Sequence, residues 1–251
     1  MSRRRSAQAI YPEMVVGVGI RYLAGGSYDD IMNTFGLSKS GFYYARNRFL
    51  KAVIGCEALD IKLPTHASEW EVIRKGFASK SSNQVVTGCV GVIDGFFQPT
   101  ICPTYVESDG YPRAYYSGHY QSTGLNCQAI CDAQLRFLFF AVIAPGQTND
   151  AVAYEHTMLH DTIEKFAPGA FIAGDAAYIL TEHLLVPFTG TAKQDPDKDS
   201  YNFYLSQLRI RIEMSFGLMT TKWRILRRKL ESSLVNSSVI IEACEDCITM
   251  C

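Results

Sequence analysis

No apolar run in this sequence comes near the roughly 20 residues that a bilayer-spanning helix needs. The basic start MSRRRSAQAIYPE is not followed by an apolar segment, so no secretory leader is expected. The eight cysteines are therefore expected to be thiols of a reducing compartment. An excess of charge is missing as well. With 24 Lys and Arg against 25 Asp and Glu the net charge is −1, which excludes nucleic-acid binding through bulk charge alone. Neither GxGxxG nor a P-loop occurs, and His156 and His160 lack the Glu of HExxH. Cys244, Cys247 and Cys251 have no second Cys/His pair nearby to complete a zinc site, so they read as thiols at a frayed terminus. Repeats and low-complexity segments are absent too.

What the sequence does have is apolar mass and an uneven spread of charge. Hydrophobic residues make up 47% of 251, enough for a sizeable core and too many for disorder. Between Arg209 and Lys229 stand Arg209, Arg211, Lys222, Arg224, Arg227, Arg228 and Lys229, with Glu213 as the single acid. Residues 1–50 are mildly basic through Arg3, Arg4, Arg5, Arg21, Lys39, Arg46 and Arg48. Two basic ends around a more acidic middle offer phosphates two surfaces of approach.

Three regions follow. Residues 1–80 read as helical. Val15, Val16, Ile20, Tyr22 and Leu23 form an apolar face; Gly25-Gly26 closes that helix, and Ser27 caps a second through Phe35. Gly36 breaks it, and Ser38 starts a third, a spacing that suits a helix-turn-helix. The second region, starting near residue 87, reads as α/β. Val85–Asp94 is a buried strand ending in an acid, and Asn126–Asp132 with Arg136–Ile143 makes a hairpin. Thr148 or Asn149 caps a helix running toward Leu159, and Ala170–Asp175 is another short strand ending in an acid. Residues 189–200 read as a loop. From Tyr201 to about Leu230, Leu205, Leu208, Ile212, Phe216 and Met219 mark an amphipathic helix.

Asp94 and Asp175 each follow an apolar strand, and Glu213 lies between Ile212 and Met214. A carboxylate beside a core is costly unless a cation neutralises it. A hard divalent ion such as Mg²⁺ accepts oxygen ligands and relieves repulsion among several acids. Two such ions about 3.5–4 Å apart can drive phosphodiester cleavage. Of the other acids, Asp132 reads as a turn residue and Asp150 as a helix cap. His119 reads as a loop histidine.

The segments around these acids resemble the PIF/Harbinger-type transposases and their nuclease relatives, a DDE endonuclease family. The matching stretches are GVIDG (91–95), GHYQSTGLNCQAICDA (118–133), FAVIAPGQTND (140–150), FIAGDAAYILTEHLLVPF (171–188) and LRIRIEMSFGLMTTKWRIL (208–226). They keep the family's order over residues 15–245. The resemblance implies an α/β, RNase H-like mixed sheet with flanking helices over residues 87–251, behind the helix-turn-helix-like region. It implies Asp94, Asp175 and Glu213 as a catalytic triad binding Mg²⁺ or Mn²⁺, two ions in all. It implies DNA cleavage with strand transfer, a nuclear location, a Myb-like DNA-binding partner and a homodimer, with no role for a membrane. Arg209, Lys222, Arg224, Arg227 and Arg228 are then expected to hold DNA phosphates, which position the strand without reading sequence. The sequence departs from the family at Phe96-Phe97, Asn149 and Ala176-Ala177. It also ends at Cys251 where the family's closing helix continues with Leu-His-Asn, so a truncated, mis-spliced or decayed copy is expected. Those departures motivate two alternatives: a transposase scaffold that binds DNA or a partner without cutting, and a metal-dependent nuclease or phosphatase that never joins strands.

Overall fold

A computed structural model describes residues 10–250, so Arg3, Arg4, Arg5 and Cys251 lie outside the described residues. Three helices open the chain: α1 (Pro12–Leu23), α2 (Tyr28–Phe35) and α3 (Lys39–Ile54). Their ends follow local chemistry. The Ser27 hydroxyl accepts from the Asp30 N–H and the Ser38 hydroxyl from the Gly41 N–H, each satisfying an orphan donor of a first turn. Gly36 closes α2 in the left-handed region at φ 66°, where a side chain would be strained. The buried face of α1 differs from the expected one: Val15, Val18, Gly19 and Leu23 point inward, while Val16 and Ile20 are about half exposed. The reason is Gly19, which has no room for a Cβ against the Phe49 ring and so sets the line along which α1 meets α3.

After α4 (Ala67–Ala78) comes a six-stranded mixed sheet. Its strands are β1 (Cys89–Pro99), β2 (Tyr116–Ser117), β3 (Ser122–Cys131), β4 (Phe137–Pro145), β5 (Phe171–Ala173) and β6 (Leu184–Leu185). β1 pairs antiparallel with β3, and β3 with β4; β5 joins the other side of β1 in parallel and β6 continues in parallel. An antiparallel meander extended by parallel strands, with helices packed on it, is an RNase H-like α/β architecture. The β3–β4 hairpin turns at Asp132, whose buried carboxylate accepts from the backbone N–H groups of Gln134 and Arg136 and from Arg136 Nε. Asp132 is thus the turn residue its position suggests.

Two further helices, α5 (Asp150–Glu155) and α6 (Met158–Ile163), stand where one was expected. Thr157 breaks the run by capping α6, so His156 lies at the C-cap of α5 and His160 in α6. The long helix α7 (Pro196–Lys222) starts inside the stretch read as a loop. Asp195 caps it, Pro196 fits the first-turn position that needs no N–H, and Asp197 and Asp199 favour the positive end of the helix dipole. A short 3₁₀ turn (Arg224–Arg227) leads to α8 (Leu234–Asp246).

Buried residues from Val15 to Cys247 form one connected hydrophobic cluster. Cys244 and Cys247 belong to it at 0% and 2% exposure, so they are packed core residues rather than frayed thiols. All seven described cysteines are unpaired with one another. Among the described residues no helix is long and apolar enough to cross a membrane.

Candidate active site

The two aspartates are brought together by strand register. Val92 of β1 stands opposite Ala173 of β5 in parallel, and Asp94 and Asp175 each lie two residues further along. Side chains two apart on a strand share a face, so both carboxylates leave the same side of the sheet. Asp94 is not at a strand end, as the sequence suggested. β1 runs on through Phe96 and Phe97 to Pro99, paired with β3. What ends near Asp94 is its neighbour β5, and the loss of that neighbour opens the sheet beside the carboxylate.

A third acid joins them. Asn149 caps α5 by accepting from the Val152 N–H, which leaves Asp150 as the first helical residue rather than the cap. The Asp150 carboxylate lies directly over Gly95, where a Cβ would collide with Oδ1. Asn126 Nδ2 and Gln128 Nε2, both on β3, donate to that oxygen at 3.0 and 2.9 Å. Tyr178 donates its hydroxyl to Gln128 Oε1 at 2.6 Å and so fixes the amide. Nothing local in the sequence announces Asn126, Gln128 and Tyr178 as a unit; the surest hint is polar residues inside a strand buried on both faces.

The electrostatics match this crowding. Burial pushes the Asp94 carboxyl up to about 6, and the negative charges of Asp175 and Asp150 add to the effect. The Gly95 N–H, donating to Asp94 Oδ1 at 2.8 Å, and the Arg209 guanidinium work against it. Arg209 Nε is itself buried and has no hydrogen-bond partner among the described residues. Asp175 accepts at Oδ1 from the Ala177 N–H at 2.8 Å. Tyr120 reaches the same neighbourhood: burial raises its hydroxyl pKa, and Asp150, Asp94 and Asp175 raise it further. Its ring stacks on Phe97 at 4.4 Å and 6°, with His119 edge-on at 4.7 Å.

The other sequence-nominated residues are placed less uniformly. Glu213 is exposed on α7, and among the described residues no three acid, His or Cys side chains stand close enough to share a metal ion. The donor set still fits a hard divalent cation at the aspartate pair. Among the described residues, Asp94 and Asp175 each keep one oxygen with no hydrogen bond, and magnesium usually takes only one or two protein carboxylates. Of the five basic residues, Arg209 faces the acids. Lys222 donates to the Cys247 carbonyl at 3.0 Å and lies over the Trp223 ring. Arg227 donates to the Thr220 carbonyl and the Thr221 hydroxyl, tying off the end of α7. Arg224 and Arg228 are exposed.

The family model described as DDE superfamily endonuclease matches residues 93–251, which includes every acid of this cluster. The chain belongs to the DDE superfamily of endonucleases. Among curated proteins it is similar to Protein ALP1-like from Arabidopsis thaliana, with 24% identity over 226 residues. The match covers 84% of this chain and 53% of the relative, so the chain spans about half the length of that protein. No solved structure matches.

Proposed function

We propose that this DDE-superfamily chain is a divalent-metal-dependent DNA endonuclease of the PIF/Harbinger type. The observation that carries this reading is the carboxylate cluster at the end of β5, with Asp94 held partly desolvated beside Asp175 and Asp150. Asp94 and Asp175 would hold Mg²⁺ or Mn²⁺, with Glu213 as a third ligand if α7 shifts when DNA binds. A bound divalent ion supplies positive charge that polarises the scissile phosphodiester and acidifies the attacking water. Asp150, locked by Asn126 and Gln128, keeps negative potential at the site. Arg209 balances part of that charge and stays within reach of a phosphate oxygen. Arg224 and Arg228 hold backbone phosphates outside the cluster. Water adds to phosphorus, the P–O3′ bond breaks, and the 3′-oxygen leaves as a hydroxyl. In transposition that hydroxyl then attacks a target phosphodiester in the same site. The helices α1–α3 contribute DNA binding, and a Myb-like partner, a homodimer and a nuclear location complete the reading.

Nicking of supercoiled plasmid in Mg²⁺ or Mn²⁺ tests it, with joined products scored separately. Cleavage by the wild-type chain that Asp94→Asn abolishes supports the reading, and cleavage unchanged in Asp94→Asn sinks it. Cleavage without joining leaves a nuclease. The exposed position of Glu213 favours a second reading, a scaffold that binds DNA without cutting. Mn²⁺ binding by calorimetry together with DNA binding but no nicking would select it.

A further inference from the structure

A cavity of about 480 Å³ lies away from the acids, where the N-terminal helices meet residues 225–232. One wall is aromatic. Tyr28, in the first turn of α2, sets its ring edge-on to Phe42 at 5.1 Å and tilted to Tyr43 at 6.0 Å. The Arg46 guanidinium lies 4.8 Å over Tyr43 and 5.5 Å over Tyr22, stiffening the wall. Tyr43 keeps 40% of its surface exposed. The opposite wall carries Arg228 and Lys229, whose exposed side chains make no hydrogen bond or ion pair among the described residues. Asp29 and Glu231 also line the cavity. They would repel a bare anion, and they offer acceptors to amino groups.

The second wall is anchored to the strand that carries Asp94. Leu230 donates its N–H to the Pro99 carbonyl at 2.9 Å and accepts from the Ile101 N–H at 3.0 Å. Gln98 Nε2 donates to the Arg228 carbonyl at 3.0 Å. From Asp94 to Thr100 is six residues of extended chain, about 20 Å. The cavity wall is therefore tied by hydrogen bonds to the strand that carries Asp94, at a distance of about 20 Å along it.

We propose that this cavity binds one unpaired nucleotide of a DNA strand, its base against the Tyr28 and Tyr43 rings and its phosphate on Arg228 and Lys229. The space suits a single small ligand and excludes a double helix. Partly exposed tyrosine rings beside cations that make no ion pair among the described residues are what an unpaired nucleotide stacks on and pairs with. The acids then meet the amino groups of the base. The proposal rests on DNA being the substrate, as argued above.

Fluorescence anisotropy in EDTA, where no cleavage occurs, tests it with the full chain. A blunt hairpin duplex is compared with the same duplex bearing a three-nucleotide single-stranded overhang. The overhang should bind about 5- to 100-fold tighter, the range of one stacked base. Tyr43→Leu should erase that advantage, and Tyr43→Phe should restore it. Lys229→Ser should reduce it. 2-Aminopurine in the overhang should be quenched by the wild-type chain and not by Tyr43→Leu. Equal affinity for blunt and overhanging DNA, or an advantage that survives Tyr43→Leu, overturns the proposal and leaves the endonuclease reading standing. No binding to either DNA overturns both. Complete displacement of the overhang by micromolar deoxynucleoside monophosphate would assign the cavity to a free nucleotide and overturn the strand proposal.

Discussion

Two groups of carboxylates are withdrawn from water in this molecule, and they are treated in opposite ways. At the sheet end, Asp94, Asp175 and Asp150 have donors aimed at them: the Gly95 and Ala177 N–H groups, the Asn126 and Gln128 amides, and the Arg209 charge. In α8, Glu245 is buried near Asp246 and Glu242, and among the described residues its Oε2 has no hydrogen-bond partner. Burial, with Asp246 and Glu242 adding repulsion, pushes Glu245 up to about 10, whereas Asp94 reaches about 6. One place maintains charge near a sheet opening, and the other holds a neutral acid inside the core. Burial alone does not tell the two groups apart; supply of donors and an open side do.

The comparison breaks most visibly at Asp94. Asp94→Asn should lower metal-dependent nicking by about 100-fold or more, because loss of even the outer partners of a metal ligand costs about 10–100-fold. Glu245→Gln should leave nicking intact and alter stability instead. Between the ordinary value of 4.5 and about 10, the unfolded chain has released the Glu245 proton and the folded chain has not. Stability therefore falls as pH rises through that window and is fullest below it. Thermal melts from pH 5 to 9 should show that decline in the wild type and a flatter one in Glu245→Gln, with Tm higher by at least about 3 °C at pH 8. A decline of equal slope in both would remove Glu245 as its source.

The same contrast between committed and open charges runs through the arginines. Arg227 is committed to Thr220 and Thr221, so Arg227→Ala should cost about 1 kcal/mol in urea unfolding and leave the salt dependence of DNA binding unchanged. Arg224→Ala should do the reverse, with stability preserved and the slope of log affinity against log salt reduced by about 0.9. Identical salt slopes for Arg224→Ala and the wild type would take Arg224 out of the phosphate contacts.

Much of the frame is legible in the sequence because it is written in local chemistry. Ser27, Ser38 and Asn149 cap where side-chain oxygens precede helical runs, and the apolar spacing of Leu205, Leu208, Ile212, Phe216 and Met219 is the buried face of α7. The start of α7 escapes such a reading, since Asp195-Pro196 looks as much like a turn as a cap until the helix is seen. Asp94 reads as a strand end because the apolar run stops there. That β1 continues is decided by pairing of Phe96 and Phe97 with Cys127 and Asn126, a contact about 30 residues away. Distance in sequence also hides Asp150, whose partners come from β3 and whose resting place is over Gly95. Cys244 and Cys247 mislead for a similar reason: proximity to the end of the chain says nothing about what packs over them.

Phe97 is seated over two glycines: a Cβ at Gly124 or Gly146 would come within 2.6 and 2.7 Å of its ring. With Tyr120 laid flat on its other face, the ring is clamped from both sides. The acid cluster is thus stiff on one flank, at this clamped ring, and open on the other, where β5 has ended. Under the proposed endonuclease reading, the open side is where a sugar–phosphate chain would enter, with the clamped ring beside it as a fixed edge.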